Sequence, residues 1–226
     1  MNTAFAKDTS KRSKRDWFIA LSVLLLGLII AHLGVSLFLI SEMGTDTFTV
    51  FIQGLALTLQ KLTGTSFPSV GTVHVIILCL IMATFLFTTK GYVKPGTVIC
   101  AFCGGPIIDF FNWILLPVIN RYGSVFVRSL AMLAGCIILS FGMSIVINSE
   151  AGTGPNDLIA IVLSDKIPRI QFRYIRILCD VFFISIGFIL GGVVGIGTVV
   201  AAFLTGPLVQ FWLPKTKTLI ARLPYQ

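Results

Sequence analysis

The chain contains the same unit twice, and this repetition constrains its fold more than any other feature. The segment GVSLFLISEMGTDTFT at residues 34–49 returns as GMSIVINSEAGTGPND at residues 142–157, a shift of about 108 positions. A second segment, GTVICAFCGGPIIDFF at residues 96–111, returns as GTVVAAFLTGPLVQFW at residues 197–212, a shift of about 101. The sequence therefore predicts two tandem copies of one unit, residues 17–118 and residues 119–213.

Long apolar runs indicate that the repeated unit is a membrane unit. Hydrophobic residues make up 56% of the chain and charged residues 12%, a composition that excludes an ordinary soluble domain. A helix of about 20 apolar residues crosses the hydrocarbon core of a bilayer. Runs of about this length occupy residues 17–40, 70–87, 96–116, 125–147, 174–190 and 193–212. The predicted fold is all-α, a polytopic membrane helix bundle with six long helices.

Two shorter apolar runs, at residues 45–59 and 155–163, predict two short helices. If both cross the membrane, each copy has four crossings and the copies are parallel. If both are re-entrant, each copy has three crossings and the copies are inverted. The distribution of Lys and Arg differs between these arrangements by a single residue, so both stay open.

The basic residues lie mainly in the terminal segments and at helix ends, although the net charge of +8 would also suit a nucleic-acid partner. This placement is the positive-inside pattern of membrane proteins. It predicts cytoplasmic tails at residues 1–16 and 214–226 and no nucleic-acid partner. The first apolar run is too long for a signal peptide, so it is predicted to be a retained helix.

The most specific motif is the polar break of the second copy, Gly152-Thr153-Gly154-Pro155-Asn156-Asp157. Pro155 suits the first turn of a helix, where its missing N–H leaves no hydrogen bond unmade. Thr153 or Gly154 can cap that helix, and its dipole favours the negative charge of Asp157. Two interpretations stay open: a capped helix after a tight turn, or a binding element at a discontinuous helix.

The first copy keeps the glycine turn and changes the polar residues that follow it. Gly44 and Thr45 are retained, whereas Asp46 and Thr47 stand where the second copy has Gly154 and Pro155. Free N–H groups at such helix starts would favour an anionic group. Four carboxylates near the two breaks would favour a cation or a titrating proton instead: Glu42, Asp46, Glu150 and Asp157.

Two further carboxylates lie inside apolar helices, where an ionisable side chain is a functional candidate. Asp180 follows Arg176 by one helical turn, so a structural ion pair competes with a functional role. Asp109 corresponds to Gln210 in the second copy and has no basic residue one turn away. A role for Asp109 in a polar cavity therefore stays open.

Each copy also carries a Gly-Pro pair inside its last helix, Gly105-Pro106 and Gly206-Pro207. A proline inside a helix frees a backbone carbonyl and bends the helix. At membrane depth such a defect is tolerated only inside protein or beside water. The pairs are either packing kinks or part of an architecture built around a polar site.

No motif predicts a cofactor, a metal ion or an enzymatic reaction. Cys100 and Cys103 form a C-x-x-C in an apolar helix, and His32 and His74 are isolated in the sequence, so nothing has metal-ligand spacing. The chain has no Walker loop and no nucleophile elbow. We expect a protein that is not an enzyme and has neither cofactor nor metal.

The motif at residues 152–157, together with Gly105-Pro106-Ile107-Ile108-Asp109, resembles the YczE/YyaS/YitT family of bacterial integral membrane proteins, and most closely its YczE-like branch. The resemblance covers residues 17–212. It implies a multi-pass protein of the bacterial cytoplasmic membrane, expected to be a transporter or permease without an established substrate. Some relatives are associated with lipopeptide production, which implies an accessory role as an alternative. The family often has an aromatic residue where this chain has Asn156.

The expected function is secondary transport of a small polar or cationic molecule, coupled to protons. The alternatives are a non-transporting scaffold for a biosynthetic enzyme such as a lipopeptide synthetase and, last, an intramembrane enzyme. The lipid bilayer is the expected partner, the small-molecule substrate is unknown, and a homodimer stays open. The predicted pathway residues are Glu42, Gly44, Thr45, Asp46, Asp109, Glu150, Gly152, Thr153, Gly154, Pro155, Asn156, Asp157, Asp180 and Gln210.

Overall fold

The computed structural model describes residues 13–89, 92–170 and 172–221 and is all-α over these ranges. Its eight helices are α1 (Lys14–Ser41), α2 (Thr47–Thr63), α3 (Val70–Thr88), α4 (Pro95–Tyr122), α5 (Val125–Ser149), α6 (Pro155–Lys166), α7 (Phe172–Ile189) and α8 (Ile196–Ile220). Five of them are long and apolar enough to cross a membrane: α1, α3, α4, α5 and α8.

The observed helices agree with the predicted ones in order and differ at several ends. The sixth predicted long helix, α7, has 18 residues and carries Arg and Asp side chains, so it falls outside the apolar set. Helix α8 continues to Ile220, beyond the apolar run that predicted it, because Pro214 lies inside the helix and does not end it. Helix α1 begins earlier than predicted because Ser13 and Asp16 form a capping box. Residues 1–12 and 222–226 of the predicted tails lie outside the described residues.

Helices α1 and α5 pack against each other in antiparallel directions. A Cβ atom added to Gly34 would lie 2.7 Å from the carbonyl oxygen of Gly135, and one added to Gly142 would lie 2.7 Å from that of Gly27. The lack of side chains at these positions lets the two backbones approach closely, as small residues do in membrane bundles. The contact partners run in opposite order along the two helices, which makes the pair antiparallel.

Helix α4 packs along α1 in the same direction. Near the start of α4, the side chain of Leu24 lies against Gly96. Three turns further on, the hydroxyl of Ser36 donates a hydrogen bond of 3.2 Å to the carbonyl of Ile108. Since α1 and α4 are parallel, α4 begins at the end of the bundle where α1 begins.

Helix α8 packs along α5 in a matching way. The hydroxyl of Ser140 donates to the carbonyl of Thr205 at 3.5 Å, and the amide of Asn148 donates to the carbonyl of Leu213 at 2.9 Å. These two helices are also parallel. Helix α8 therefore begins at the end of the bundle where α1 ends.

Each polar break contacts the start of a helix from the other half of the chain. The N–H of Gly197 in α8 donates to the carbonyl of Met43 at 2.7 Å. The N–H of Gly96 in α4 donates to the carbonyl of Ala151 at 3.0 Å. The first break therefore packs against the start of α8, and the second break packs against the start of α4.

The short helices α2 and α6 return to the end of the bundle from which the chain enters them. Helix α3 runs antiparallel to α4, since Gly71 lies by Asp109 and His74 lies by Gly104. The start of α3 and the end of α1 are therefore at the same end, and α2 joins them without a net crossing. Helices α2 and α7 are parallel, because Thr47 bonds Asp180 near the start of α2 and Thr58 bonds the carbonyl of Leu190 further along, at 2.8 Å. Helix α6 therefore likewise joins two points at the opposite end.

The third helices of the two halves pack differently. Helix α3 lies along α4, where the backbones of Gly71 and Gly105 meet. Helix α7 lies instead along α2, where Gly54 meets the backbone of Gly187. Gly206 of α8 is the counterpart of Gly105, and among the described residues no atom lies within 4 Å of where its Cβ would be. The glycine face of α4 is covered, whereas that of α8 is open.

Candidate functional site

Polar side chains from the starts of both short helices meet at Arg176 of α7. Nη1 of Arg176 lies 2.6 Å from Oδ1 of Asp157, and its Nε lies 3.5 Å from Oδ2 of Asp180. The hydroxyl of Thr47 donates to Oδ1 of Asp180 at 2.7 Å. We call Asp46, Thr47, Asp157, Arg176 and Asp180 the Arg176 cluster.

The local fold of the second break sets the position of Asp157. Gly154 caps α6 and Pro155 occupies its first position, as predicted, so Asp157 falls in the first turn. Thr153 and Asn156 donate to the carboxylate of Asp157 at 3.5 Å and 3.4 Å. These bonds orient the carboxylate for its ion pair with α7.

The first break achieves a similar result with a side-chain cap. Oδ1 of Asp46 accepts a hydrogen bond of 3.2 Å from the N–H of Thr49, and the hydroxyl of Thr45 donates to Oδ2 at 3.4 Å. Asp46 also interacts electrostatically with Arg176 and Asp180. The cap residue of α2 thus belongs to the same charged group as the first turn of α6.

The Arg176 cluster has more carboxylates than cationic groups. Among the side chains that the structure describes, it contains Asp46, Asp157 and Asp180 but one guanidinium, and the ion-paired side chains are 23–38% exposed. Unpaired charge at membrane depth is costly and is found where it serves transport or proton relay. The surplus negative charge gives the cluster a capacity for a cation or a proton.

Aromatic side chains border the cluster on one side. The rings of Phe48 and Phe183 lie 5.2 Å apart, and those of Phe51 and Phe183 lie 5.5 Å apart. Phe48 directly follows Thr47, and Phe183 lies about one turn beyond Asp180 on α7. Phe48 and Phe183 are 5% and 7% exposed, so these rings belong to the hydrophobic core next to the cluster.

The two glycine turns contact the starts of two different helices. A Cβ atom added to Gly44 would lie 2.5 Å from the hydroxyl of Thr198 at the start of α8. The corresponding atom of Gly152 lies 2.6 Å from the backbone nitrogen of Thr97 at the start of α4. Because α1 and α5 are antiparallel, the turns lie at opposite ends of this pair. The helix starts that follow the turns converge on α7 instead.

Glu42 and Glu150 end helices α1 and α5 in the left-handed conformation, with φ of 56° and 54°. Oε2 of Glu42 forms an ion pair of 2.6 Å with Arg128, and the Glu42 side chain is 66% exposed. Both glutamates close a long helix before its break. Each glutamate therefore lies at the C-terminal end of a long helix, directly before the break, and not in the Arg176 cluster.

Asp109 and Gln210 lie apart from the Arg176 cluster. The carboxylate of Asp109 accepts hydrogen bonds from the hydroxyl of Ser69 and, at 3.0 Å, from the N–H of Gly71. Asp109 thus satisfies donors at the start of α3, and this partner is invisible in the sequence because it lies 38 or more residues away. Gln210 is exposed on α8.

The Gly-Pro pairs lie inside continuous helices, because α4 and α8 run through Pro106 and Pro207. Gly105 serves the close contact with α3, whereas Gly206 and Pro207 are exposed. The two pairs occupy equivalent positions in the sequence but different surroundings in the structure.

Sequence reasoning missed three features of the site. It treated Arg176 as a partner of Asp180 alone and gave no role to Thr47, although both lie in the cluster. It also treated His32 and His74 as isolated, whereas their ring centroids lie 5.5 Å apart. The one available signal was an Arg–Asp pair inside a mostly apolar helix. Within the described ranges, no group of three or more His, Cys, Asp or Glu side chains is arranged to hold a metal ion.

Comparisons with known proteins agree with the resemblance to YczE and YyaS. The model of DUF6198, described as a family of unknown function, matches residues 18–214. An uncharacterized protein of Haemophilus influenzae is 29% identical over 205 residues, which cover 91% of this chain and 86% of that protein. The uncharacterized membrane protein YczE of Bacillus subtilis is 29% identical over 153 residues, which cover 67% of this chain and 68% of YczE. The uncharacterized protein YyaS of Bacillus subtilis is 26% identical over 190 residues, covering 84% and 90%. No solved structure matches the chain.

Proposed function

Since this chain belongs to the DUF6198 family and is a multi-pass membrane protein, we propose that it is a secondary transporter of a small polar or cationic molecule. The observation that supports this function is the Arg176 cluster, in which the starts of two discontinuous helices meet one Arg–Asp pair. Secondary transporters commonly bind substrates and coupling ions at such helix starts.

The proposed architecture is a pair of inverted repeats, α1–α4 and α5–α8. At the shift of about 108 positions, Gly27 and Gly34 correspond to Gly135 and Gly142. Their contacts are reciprocal, since Gly34 meets Gly135 and Gly142 meets Gly27. Reciprocal contacts between corresponding residues are what a two-fold axis in the membrane plane produces. The antiparallel course of α1 and α5 favours the inverted arrangement over the parallel one.

The different packing of α3 and α7 supports a mechanism with two conformations. In the described conformation, α3 covers the glycine face of α4 and α7 leaves that of α8 open. In the second conformation α7 covers α8 and α3 leaves α4. Exchange between the two would move access to the cluster from one side of the membrane to the other, as alternating access requires.

The surplus negative charge of the cluster suggests how transport is coupled. A cationic substrate at Asp46, Asp157 and Asp180 would compensate this charge. When the substrate leaves, a proton would compensate it instead, because bare carboxylates are costly at membrane depth. The transporter would then export its substrate in exchange for protons.

The proposed location is the bacterial cytoplasmic membrane, with both termini in the cytoplasm. Basic residues accumulate at the end of the bundle where α1 begins and α8 ends: Lys14, Arg15, Lys94, Lys166, Arg169, Lys215 and Lys217. The opposite end carries Lys61, Arg121 and Arg128. The positive-inside rule assigns the first end to the cytoplasm.

Proton movement in proteoliposomes tests the function. A pH-sensitive dye inside the liposomes reports protons that leave or enter when primary amines, quaternary ammonium ions or amino acids are added across an imposed pH gradient. We expect at least one of these probes to drive proton movement in the wild type and Asp157→Asn to reduce the rate at least about tenfold. Asp165→Asn is the matched control, because Asp165 is exposed and bonds Tyr92 outside the cluster.

Two results would contradict the proposal. The first is equal proton movement with wild type and Asp157→Asn, which removes the cluster from the pathway. The second is no response to any probe from folded wild-type protein that co-purifies with a biosynthetic enzyme. The second result would favour the scaffold function.

A further inference from the structure

The open glycine face of α8 leaves a notch in the surface of the bundle. Among the described residues, no atom lies within 4 Å of the position where Gly206 would carry a Cβ, and its neighbours Phe203, Pro207 and Gln210 are exposed. In the first half, the backbone of Gly71 lies against Gly105 and fills the equivalent space. The notch of α8 therefore has room for a group that the described part of the chain does not supply.

Lys217 lies on the same face of α8 as the notch, close to the end of the helix. Gly206 and Lys217 are about three turns apart in one continuous helix, so both lie on one side of it. Along the helix axis this separation is about 16 Å, which is close to half of the roughly 30 Å hydrocarbon core of a bilayer. Lysine side chains at helix ends extend their ammonium groups to the interface. With Lys217 at the interface, the notch lies near the middle of the bilayer.

The ammonium groups of Lys217 and Lys215 differ in their contacts. The Lys217 side chain is exposed and has no ion-pair partner in the described part of the chain. Lys215 comes two residues earlier, on the opposite side of α8. Its Nζ lies 3.4 Å from the ring centroid of Phe211. On the side of the notch, the positive charge at the end of α8 is therefore that of Lys217.

The last helix of the first half does not combine these two features. At the repeat shift of about 101 positions, Leu116 of α4 corresponds to Lys217. The glycine of α4, Gly105, is covered by α3. An open glycine and a lysine thus share one face in α8 and not in α4. This difference makes the face a specific feature of the second half and not a consequence of the repeat.

The occupant of this face has to combine negative charge with a long apolar part. An anionic phospholipid does so, because its phosphate attracts basic residues at the membrane surface and its acyl chains extend over one leaflet. A second copy of the chain fits less well. Copies with the same orientation in the membrane are related by an axis along the membrane normal, and a two-fold axis at this face would place the two Lys217 side chains next to each other. Like charges at this distance repel.

We propose that this face of α8 binds one anionic phospholipid, with its phosphate at the ammonium group of Lys217 and an acyl chain along α8 as far as Gly206. Binding is reversible and changes no covalent bond. The proposed location of this helix end at the cytoplasm places the lipid in the cytoplasmic leaflet. The inference goes beyond the proposed transport function, because the lipid would bind whether or not the chain transports. If the proposed exchange of α3 and α7 also holds, the bound lipid favours the described conformation, since it occupies the surface that α7 would cover.

Native mass spectrometry of the purified protein tests the site, because it counts bound lipids and reports dimers in one measurement. The probes are phosphatidylglycerol and phosphatidylcholine with identical acyl chains, which differ in the net charge of the headgroup. We expect the wild type to bind one phosphatidylglycerol at least about fivefold more tightly than phosphatidylcholine. Lys217→Ala should abolish this preference. Lys215→Ala is the matched control, because it removes the same charge from the opposite side of α8 and should retain the preference.

Gly206→Leu tests the position of the acyl chain, because the leucine would fill the notch and leave Lys217 in place. We expect this variant to bind phosphatidylglycerol at least about fivefold more weakly than the wild type. The wild-type comparison of the two lipids needs no substitution at all.

Four results would overturn the proposal. The wild type could bind both lipids equally, Lys217→Ala and Lys215→Ala could weaken binding to the same extent, or Gly206→Leu could bind phosphatidylglycerol as the wild type does. The fourth result is a wild-type dimer without bound lipid, which would assign the face to a second copy. Proton movement enters none of these measurements, so this proposal and the transport function fail separately.

Discussion

Arg176 forms ion pairs with carboxylates of two different helices, so its substitution should remove both ion pairs. Arg176→Ala leaves Asp157 and Asp180 without their cation inside the bundle. Because the side chains are partly exposed, we expect a loss of about 2 kcal/mol and not the larger loss of a fully buried pair. Thermal unfolding in detergent measures it, with Arg121→Ala at the exposed end of α4 as the control.

A double variant tests the cause of this loss. If unpaired negative charge is responsible, Asp157→Asn added to Arg176→Ala should restore part of the stability. Equal unfolding temperatures for Arg176→Ala and the double variant would show that Arg176 contributes through packing alone.

At the residue scale, local spacing predicted local contacts and nothing beyond them. The position of Asp157 in the first turn follows from Pro155, and the Arg176–Asp180 pair follows from their spacing on one helix face. The contacts of Arg176 with Asp157 and of Asp180 with Thr47 span 19 and 133 residues. They depend on α7 lying between the two short helices, which no spacing within one helix reveals.

At the scale of helices, the close approach of α1 and α5 makes a prediction with a control inside the same chain. A leucine at Gly34 would collide with the backbone of α5, whereas a leucine at Gly206 meets open space in the described conformation. We expect Gly34→Leu to cost about 2 kcal/mol in detergent and Gly206→Leu to leave the unfolding temperature nearly unchanged.

The outcome that would contradict this packing is equal stability of the two glycine variants. Gly206→Leu has a second use, because it would obstruct α7 in the second conformation. Its folded protein should therefore show reduced proton movement in the liposome assay, and wild-type rates would argue against α7 covering this face.

Helix order was predictable because apolar runs and prolines mark the helices directly. Helix ends were less predictable, since α8 continues through Pro214 and α1 begins at a cap that lies before the apolar run. The relative directions of α1 and α5 were not predictable, because charge placement left the parallel and inverted arrangements almost equal. The glycine contacts between these helices decide the direction.

At the scale of the whole molecule, the second conformation can be trapped by a disulfide. Leu78 and Ala101 pack in one core cluster in the first half, and their counterparts at the repeat shift are Cys179 and Ala202. We expect Ala202→Cys to form a disulfide with the native Cys179 in a chain whose other cysteines are replaced, and an imposed pH gradient to change the rate. The pair Leu78→Cys and Ala101→Cys should cross-link without a gradient.

If Ala202→Cys never cross-links to Cys179 while the pair in the first half does, the two-state mechanism fails. Cross-linking of both pairs at rates that no gradient changes would show flexible helices without coupled transport.

The proposed topology has α2 and α6 as re-entrant helices, each the second helix of one half of an inverted pair. Accessibility of two cysteines in intact cells tests it most directly: Ser66→Cys in the α2–α3 connection and Arg169→Cys in the α6–α7 connection, both at exposed positions. With a membrane-impermeant maleimide and the native cysteines replaced, we expect labelling of Ser66→Cys from outside and of Arg169→Cys only after permeabilisation. Labelling of both from the same side would contradict it, because that is the result for two short helices that cross the membrane.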